Sequence, residues 1–245
     1  MNLPVRLKHI PIFEATFEIR FVPDSDSSAD LLPGMMLPDL KNYVTKLESL
    51  PASDLPKHLV SSDPSLQYQP LKRLVGDTYQ IAIGPKLLAI TVQRPYPGWD
   101  AFKRAIVDTL NSLKKTDQLQ SAERCSLKYR NIIESQEAPD DLSKLNVDLK
   151  VANLNTSPST QRIHCEHHVN GITNFISIFT KTRVQSSKTK EDLRGVLIDV
   201  DSIQKNNMGD FWERADNIIE ELHSTEKEIF FSLLTSDTLQ ELGPE

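Results

Sequence analysis

Residues 12–22 read IFEATFEIRFV. Phe13, Ala15, Phe17, Ile19 and Phe21 alternate with Glu14, Thr16, Glu18 and Arg20, and a period of two held over so long a run marks a β-strand with one buried and one wet face. Outward from this strand, residues 23–28 (PDSDSS) are polar and turn-forming. Pro38 then sits at a plausible first helical position, and Leu37, Leu40, Val44 and Leu47 form a stripe that predicts a helix from Met36 to Leu50, ended by Pro51. With Pro51, Pro56 and Pro64, residues 51–64 read as a loop. Strands follow over Leu66–Val75, Thr78–Ile83 and Leu87–Gln93, the last two joined by a hairpin-like Gly84-Pro85-Lys86. Residues 95–98 (PYPG) end the sheet, and Trp99, Phe102, Ile106, Leu110 and Leu113 fall at helical spacing over Trp99–Lys115.

The same order of elements returns from Gln120. Cys125, Leu127 and Tyr129 alternate with Arg124, Ser126, Lys128 and Arg130. Pro139-Asp140-Asp141 opens a short helix to Leu145, with acidic residues suited to its N-terminus. Residues 146–160 are poor in pattern and read as irregular. Strands resume over Gln161–Val169, Ile172–Arg183 and Leu193–Val200, and Asn170-Gly171 between the first two is a strong hairpin signal. A long helix carries Phe211, Ala215, Ile218, Ile219, Leu222, Ile229, Phe230 and Leu233 on one broad face. Ser236 caps a last helix, Asp237–Leu242, stopped by Gly243-Pro244. The predicted class is α+β: two β-α-β-β-β-α units, residues 1–117 and 118–245, forming one curved, mainly antiparallel sheet with helices packed on one face. The repetition is topological, since the halves share little residue identity.

Composition narrows the function classes. A chain of 245 residues buries roughly 70% of the surface its unfolded form exposes, so it needs no disulfide or metal staple. Cys125 and Cys165 both fall in strands beside apolar neighbours and read as reduced core thiols. The first residues lack the apolar core of a signal peptide and no run approaches the ~18 apolar residues of a membrane span, so a cytoplasmic protein without a membrane partner is expected. A net charge of −6 argues against a general polyanion binder.

Four groups of residues carry potential chemistry. His164, Glu166 and His168 fall on one face of a strand, with Cys165 and His167 on the other. Two imidazoles and a carboxylate are metal-ligand types, but alternate strand residues stand ~7 Å apart, too far to converge on one ion, and the plain reading is a solvated strand face. Asp199 and Asp201 flank Val200 and send two carboxylates to one side of a strand end, an arrangement used to hold Mg²⁺ in phosphoryl transfer; strand-end aspartates also form turns and caps. Lys181, Arg183, Lys188, Lys190 and Arg194 concentrate positive charge in a Ser-rich connection, either a solvated hairpin loop or a finger that touches phosphates, with Arg124, Lys128 and Arg130 able to extend it. His223, beside the apolar stripe of the long helix, reads as a packing histidine. No GxSxG, no GxxxxGK[ST] and no GxGxxG after a strand occurs, so no catalytic nucleophile and no cofactor is expected.

Several stretches carry a resemblance. Residues 9–21 (HIPIFEATFEIRF) resemble the opening strand of a sporadically distributed bacterial family of uncharacterised proteins of similar length. Residues 127–133 (LKYRNII) are similar to its central strand, Ile198–Asp201 to its late acidic strand, and Leu222-His223, Phe230 and Leu234-Thr235 to its closing helix. Ile132 stands where that family's pattern has arginine after Asn131. The resemblance implies prokaryotic origin and patchy inheritance, as in mobile or defence-associated genes, and no reaction. The leading expectation is a non-enzymatic binding protein of a prokaryotic accessory system, with a protein partner or small ligand in the sheet's concavity. The alternatives are a metal-dependent phosphodiesterase or nuclease using Asp199 and Asp201, and a nucleic-acid-binding module using residues 181–194.

Overall fold

Alternation on the opening strand is realised at the centre of a nine-stranded antiparallel sheet. The structure, a computed structural model, describes residues 3–64, 66–135, 141–153, 160–186 and 190–245. In chain order the elements are β1 (Ile12–Pro23), α1 (Ser28–Met36), β2 (Lys46–Ser49), α2 (Lys57–Ser62), β3 (Lys72–Val75), β4 (Tyr79–Gly84), β5 (Leu87–Gln93), α3 (Trp99–Lys115), β6 (Leu119–Glu134), β7 (Arg162–Val169), β8 (Ile172–Gln185), β9 (Asp192–Gln204), α4 (Phe211–Leu233) and α5 (Ser236–Leu242). The strand order is β2-β3-β4-β5-β1-β6-β9-β8-β7. Outward from the central β1–β6 pair the order is β5-β4-β3-β2 on one side and β9-β8-β7 on the other, so β5 lies beside β1 and β9 beside β6, and the first side has one strand more.

Ala15, Phe17, Ile19 and Phe21 of β1 are fully buried, and with Cys125, Leu127 and Tyr129 of β6 they share a core with Leu32 and Met36 of α1, Phe102, Ile106 and Leu110 of α3, and Ile218 and Leu222 of α4. A second cluster joins Val196, Ile198 and Val200 of β9 to Ile178 of β8 and Phe230 of α4. No helix of the described residues is long and apolar enough to cross a membrane.

Several expectations are corrected. No helix spans residues 36–50: α1 ends at Met36, residues 37–43 continue as turns, the 37–45 connection still buries Leu40 and Val44, and Lys46–Ser49 pair with β3. Half-exposed Leu47 belongs to that edge strand, so an i, i+4 apolar spacing arose from turns followed by a strand. Phe13 leaves the β1 core series: the register shift between Ile12 and Glu14 puts it in a separate cluster with Ile132, Leu193 and Leu197. Thr235, rather than Ser236, caps α5, its side-chain oxygen accepting from the Thr238 N–H at 3.2 Å.

The 51–64 segment also holds structure, a 3₁₀ turn at Pro51–Asp54 and α2, and residues 141–144 form a 3₁₀ turn where a short helix was expected. By contrast α3 covers the predicted residues. Asn170 and Gly171 take φ of 51° and 79°, the positive values a two-residue turn needs to match strand twist.

Candidate functional site

Residues of β1, β6 and β9 that point away from the core build an open trough of about 850 Å³. Strand pairing sets the rows. Glu14 lies opposite Arg130, which lies opposite Asp199; Thr16 lies opposite Lys128, which lies opposite Asp201. Arg130 on β6 therefore sits between acids of both neighbouring strands, whereas Lys128 faces Thr16 on β1 and meets acids only on β9. Arg130 reaches Glu14 at 3.3 Å and Asp199 at 3.8 Å, and Lys128 reaches Asp199 at 4.0 Å and Asp201 at 3.8 Å. At the other end of β1, Arg20 bonds Glu18 at 2.8 Å and lies over the Tyr68 ring, and Arg124 stands 3.8 Å from Glu18.

A wall rises on the β7–β8 side from Thr160, Arg162 and Phe179–Thr182. It follows from a register shift of β8 against β9 between Phe179 and Thr182, where Lys181 adopts φ of 53°. Gln161 and Thr180 brace it, the Thr180 hydroxyl donating to Gln161 Oε1 at 2.7 Å and accepting from the Gln161 N–H at 2.8 Å.

Partial burial raises the Asp199 carboxyl above its ordinary pKa; Lys128 and Arg130 pull it back, and Asp201 and Glu14 add to the rise. Burial likewise lowers the Arg124 guanidinium, with Arg20 adding to the effect. Asp201 Oδ1 is buried and has no hydrogen-bond partner among the described residues. Such an acceptor is costly unless a donor meets it in another state of the molecule.

Asp199 and Asp201 were expected at a strand end. They lie inside β9, which runs on to Gln204, and both face the trough. His164, Glu166 and His168 share one face of β7, with His168 Nε2 3.2 Å from Glu166, His168 Nδ1 near the Thr173 hydroxyl at 3.1 Å and His164 Nδ1 near the Ser177 hydroxyl at 3.0 Å. Since β8 lies between β7 and β9, strand spacing holds them roughly 10 Å from the aspartates. Among the described residues no three His, Cys, Asp or Glu are grouped so as to hold a metal ion.

The basic connection is mostly strand: β8 extends to Gln185 and β9 starts at Asp192. Arg183 bonds Asp192 at 2.7 Å and Arg194 approaches it at 3.7 Å, and the Arg183 hydrogen bond holds the Asp192 carboxyl below its usual range. Lys181 joins the trough wall, Lys190 takes a φ of 62°, and Lys188 lies outside the described residues. Cys125 is buried and its thiol is pushed up to about 12 by desolvation, whereas Cys165 is exposed, contrary to expectation, because β7 is an outer strand covered on neither face.

A second polar group lies inside the core between sheet and helices. His223 of α4 stacks on Trp99 of α3 with ring centroids 3.8 Å apart, and its Nδ1 is 3.5 Å from the Tyr129 hydroxyl, which is 3.0 Å from that of Tyr96. Trp99 donates to Glu220 at 3.2 Å, and Lys103 bridges Glu220 and Asp216. Glu226, one turn beyond His223, is 4% exposed, and its Oε1 has no hydrogen-bond partner among the described residues. Burial pushes its carboxyl up to about 8 and the His223 imidazole down to about 4, so both are neutral near pH 7.

Glu14, Thr16 and Glu18 were legible in the sequence as a wet strand face and not as part of a site. Their signal is the opposite charge on the exposed face of β6, which acquires meaning only once β1 and β6 are neighbours. A scan against protein-family models and a search of curated proteins find no match to the chain.

Proposed function

We propose that this chain is a non-enzymatic binding protein of a prokaryotic accessory system, defence-associated in type, that holds a charged small ligand or a segment of a protein partner in the trough. Its place of work is the cytoplasm. The observation that carries this reading is the row Glu14–Arg130–Asp199 across β1, β6 and β9, with Lys128 beside Asp199 and Asp201 and with Asp201 Oδ1 lacking a hydrogen-bond partner among the described residues. Charges that neutralise one another are held at fixed spacing, so a ligand carrying both a donor cation and an acceptor anion exchanges partners with them and adds no net charge.

Against the phosphodiesterase alternative stands Lys128. Its ammonium lies within 4.0 Å of both aspartates, where a divalent cation bridging them would meet like charge. Apart from the extra edge strand β2, the strand orders on either side of the β1–β6 pair correspond, which supports internal duplication, and the helical residues that share a core with β1 and β6 support helices on one face.

Native mass spectrometry of the protein purified from its own host tests the reading, with wild type run beside Asp201→Asn and Arg130→Ala. The expected result is a retained mass on wild type that is lost from both variants. Metal-dependent hydrolysis of a phosphodiester by the wild type, abolished by Asp199→Ala, overturns it in favour of the enzyme.

A further inference from the structure

β7 is an outer strand, and among the described residues nothing pairs with its far edge. Residues 164–168 are exposed on both faces. The opposite outer strand, β2, has only 4 residues, whereas β7 has 8 and runs against β8 without a register shift. Outer strands usually avoid association through shortness, bulges, proline or charged side chains, and of these β7 has only the charges of Arg162 and Glu166.

The ladder fixes which backbone groups point outward. Val169 and Ile172 flank a two-residue turn and so form a hydrogen-bonded closing pair. At the far end the Thr180 N–H donates to the Gln161 carbonyl at 3.1 Å. Odd-numbered residues of β7 therefore face β8, and Arg162, His164, Glu166 and His168 turn their N–H and C=O groups outward.

We propose that this edge is a homodimer interface in which β7 of two copies pair antiparallel about a twofold axis through Cys165. Only registers that set even residues opposite even residues satisfy the outward groups. An axis through Glu166 opposes two carboxylates. The axis through Cys165 sets His164 opposite the partner's Glu166, Arg162 opposite the partner's His168, and Cys165 opposite the partner's Cys165 at a non-hydrogen-bonded position with Cα atoms ~4.5 Å apart. It uses nearly the whole strand and forms roughly eight backbone hydrogen bonds. The axis is perpendicular to the sheet, so the troughs of both copies open on the same side. This inference is independent of what the trough binds.

Sedimentation across concentrations up to about 100 µM, where even a weak dimer is populated, is expected to show a dimer. A mild thiol oxidant then converts the two Cys165 thiols to one intermolecular disulfide, two electrons and two protons passing to the oxidant, and Cys165→Ser removes the link while keeping the dimer. His167→Cys on the Cys165→Ser background places the two thiols ~13 Å apart and links at least about tenfold more slowly. Glu166→Pro deletes an outward N–H without touching the β8 ladder and yields a folded monomer; His164→Glu opposes carboxylates and weakens the dimer, carrying the same test should the proline variant not fold. A monomer throughout, a dimer untouched by both substitutions, or equal linking at positions 165 and 167 overturns the proposal.

Discussion

Lys128 lies within 4.0 Å of Asp199 and Asp201 and pulls the Asp199 carboxyl down against its burial, so its removal reads out the electrostatics of the site. In Lys128→Met the opposing contributions on Asp199 that remain are burial, Asp201 and Glu14 against Arg130 alone. The Asp199 pKa is expected to rise further, read by carboxyl-carbon NMR titration; an unchanged or lower value contradicts the lattice described. Stability should change by only about 0–1 kcal/mol, because these pairs are partly exposed. In the core, Glu226 and His223 act in opposite senses. Glu226 has a folded pKa of about 8 against an ordinary 4.5, so its contribution is fully present below pH 4.5 and is lost as pH rises to about 8. His223, about 4 against 6.5, contributes stability above pH 6.5 that is lost as pH falls toward 4. The two slopes cancel between pH 4.5 and 6.5, leaving a fall of roughly 2 kcal/mol from pH 6.5 to 8. Urea denaturation across that range should show the fall in wild type and its near absence in Glu226→Gln; an equal slope in both refutes the assignment.

Among the elements, β9 depends on a single backbone position. Gly195 has φ of +152°, and a Cβ there would lie 1.9 Å from the Ile133 carbonyl oxygen of the neighbouring strand. Gly195→Ala must both strain the backbone and part β6 from β9, and is expected to cost about 2–4 kcal/mol by chemical denaturation. Thr235→Ala, which removes the cap of α5 together with the Thr235 hydroxyl's contacts to the Lys144 carbonyl and the Thr238 hydroxyl, should cost about 1 kcal/mol. How far each element was legible follows from how local its cause is. α3 carries a complete apolar face between a PYPG stop and a basic last turn, and Asn170-Gly171 encodes its turn in two residues, so both were readable. Leu40, Val44 and Leu47 misled because turns leading into an edge strand reproduced helical spacing for three residues. β9 ran past its expected end because pairing with β6 and β8 continues through Asp201, Ser202 and Ile203, a ladder that residue pattern does not report.

At the scale of the whole molecule, the central β1–β6 pair makes the two halves interdependent. The core containing Phe17 and Phe21 of β1 also contains Cys125 and Leu127 of β6 and Ile218 and Leu222 of α4. A chain of residues 1–117 alone would bare that core and the β1 edge, and is expected to bind a hydrophobic dye and to melt without a cooperative transition; a sharp melt would show that the first half folds by itself. The sequence by itself determined the alternation of β1 and β6, the exposed charge on their outer faces, the hairpin at Asn170-Gly171 and the amphipathic faces of α3 and α4, because each depends on residues a few positions apart. The tertiary structure alone decided that β6 lies between β1 and β9, so that Lys128 and Arg130 meet Glu14, Asp199 and Asp201. It also decided that Cys165 is exposed while Cys125 is buried, although both follow the same strand pattern. Which strand ends at an edge and which at the centre is fixed by long-range pairing, where neighbours such as Glu14 and Arg130 lie 116 residues apart in the chain, and local patterning carries no record of that choice.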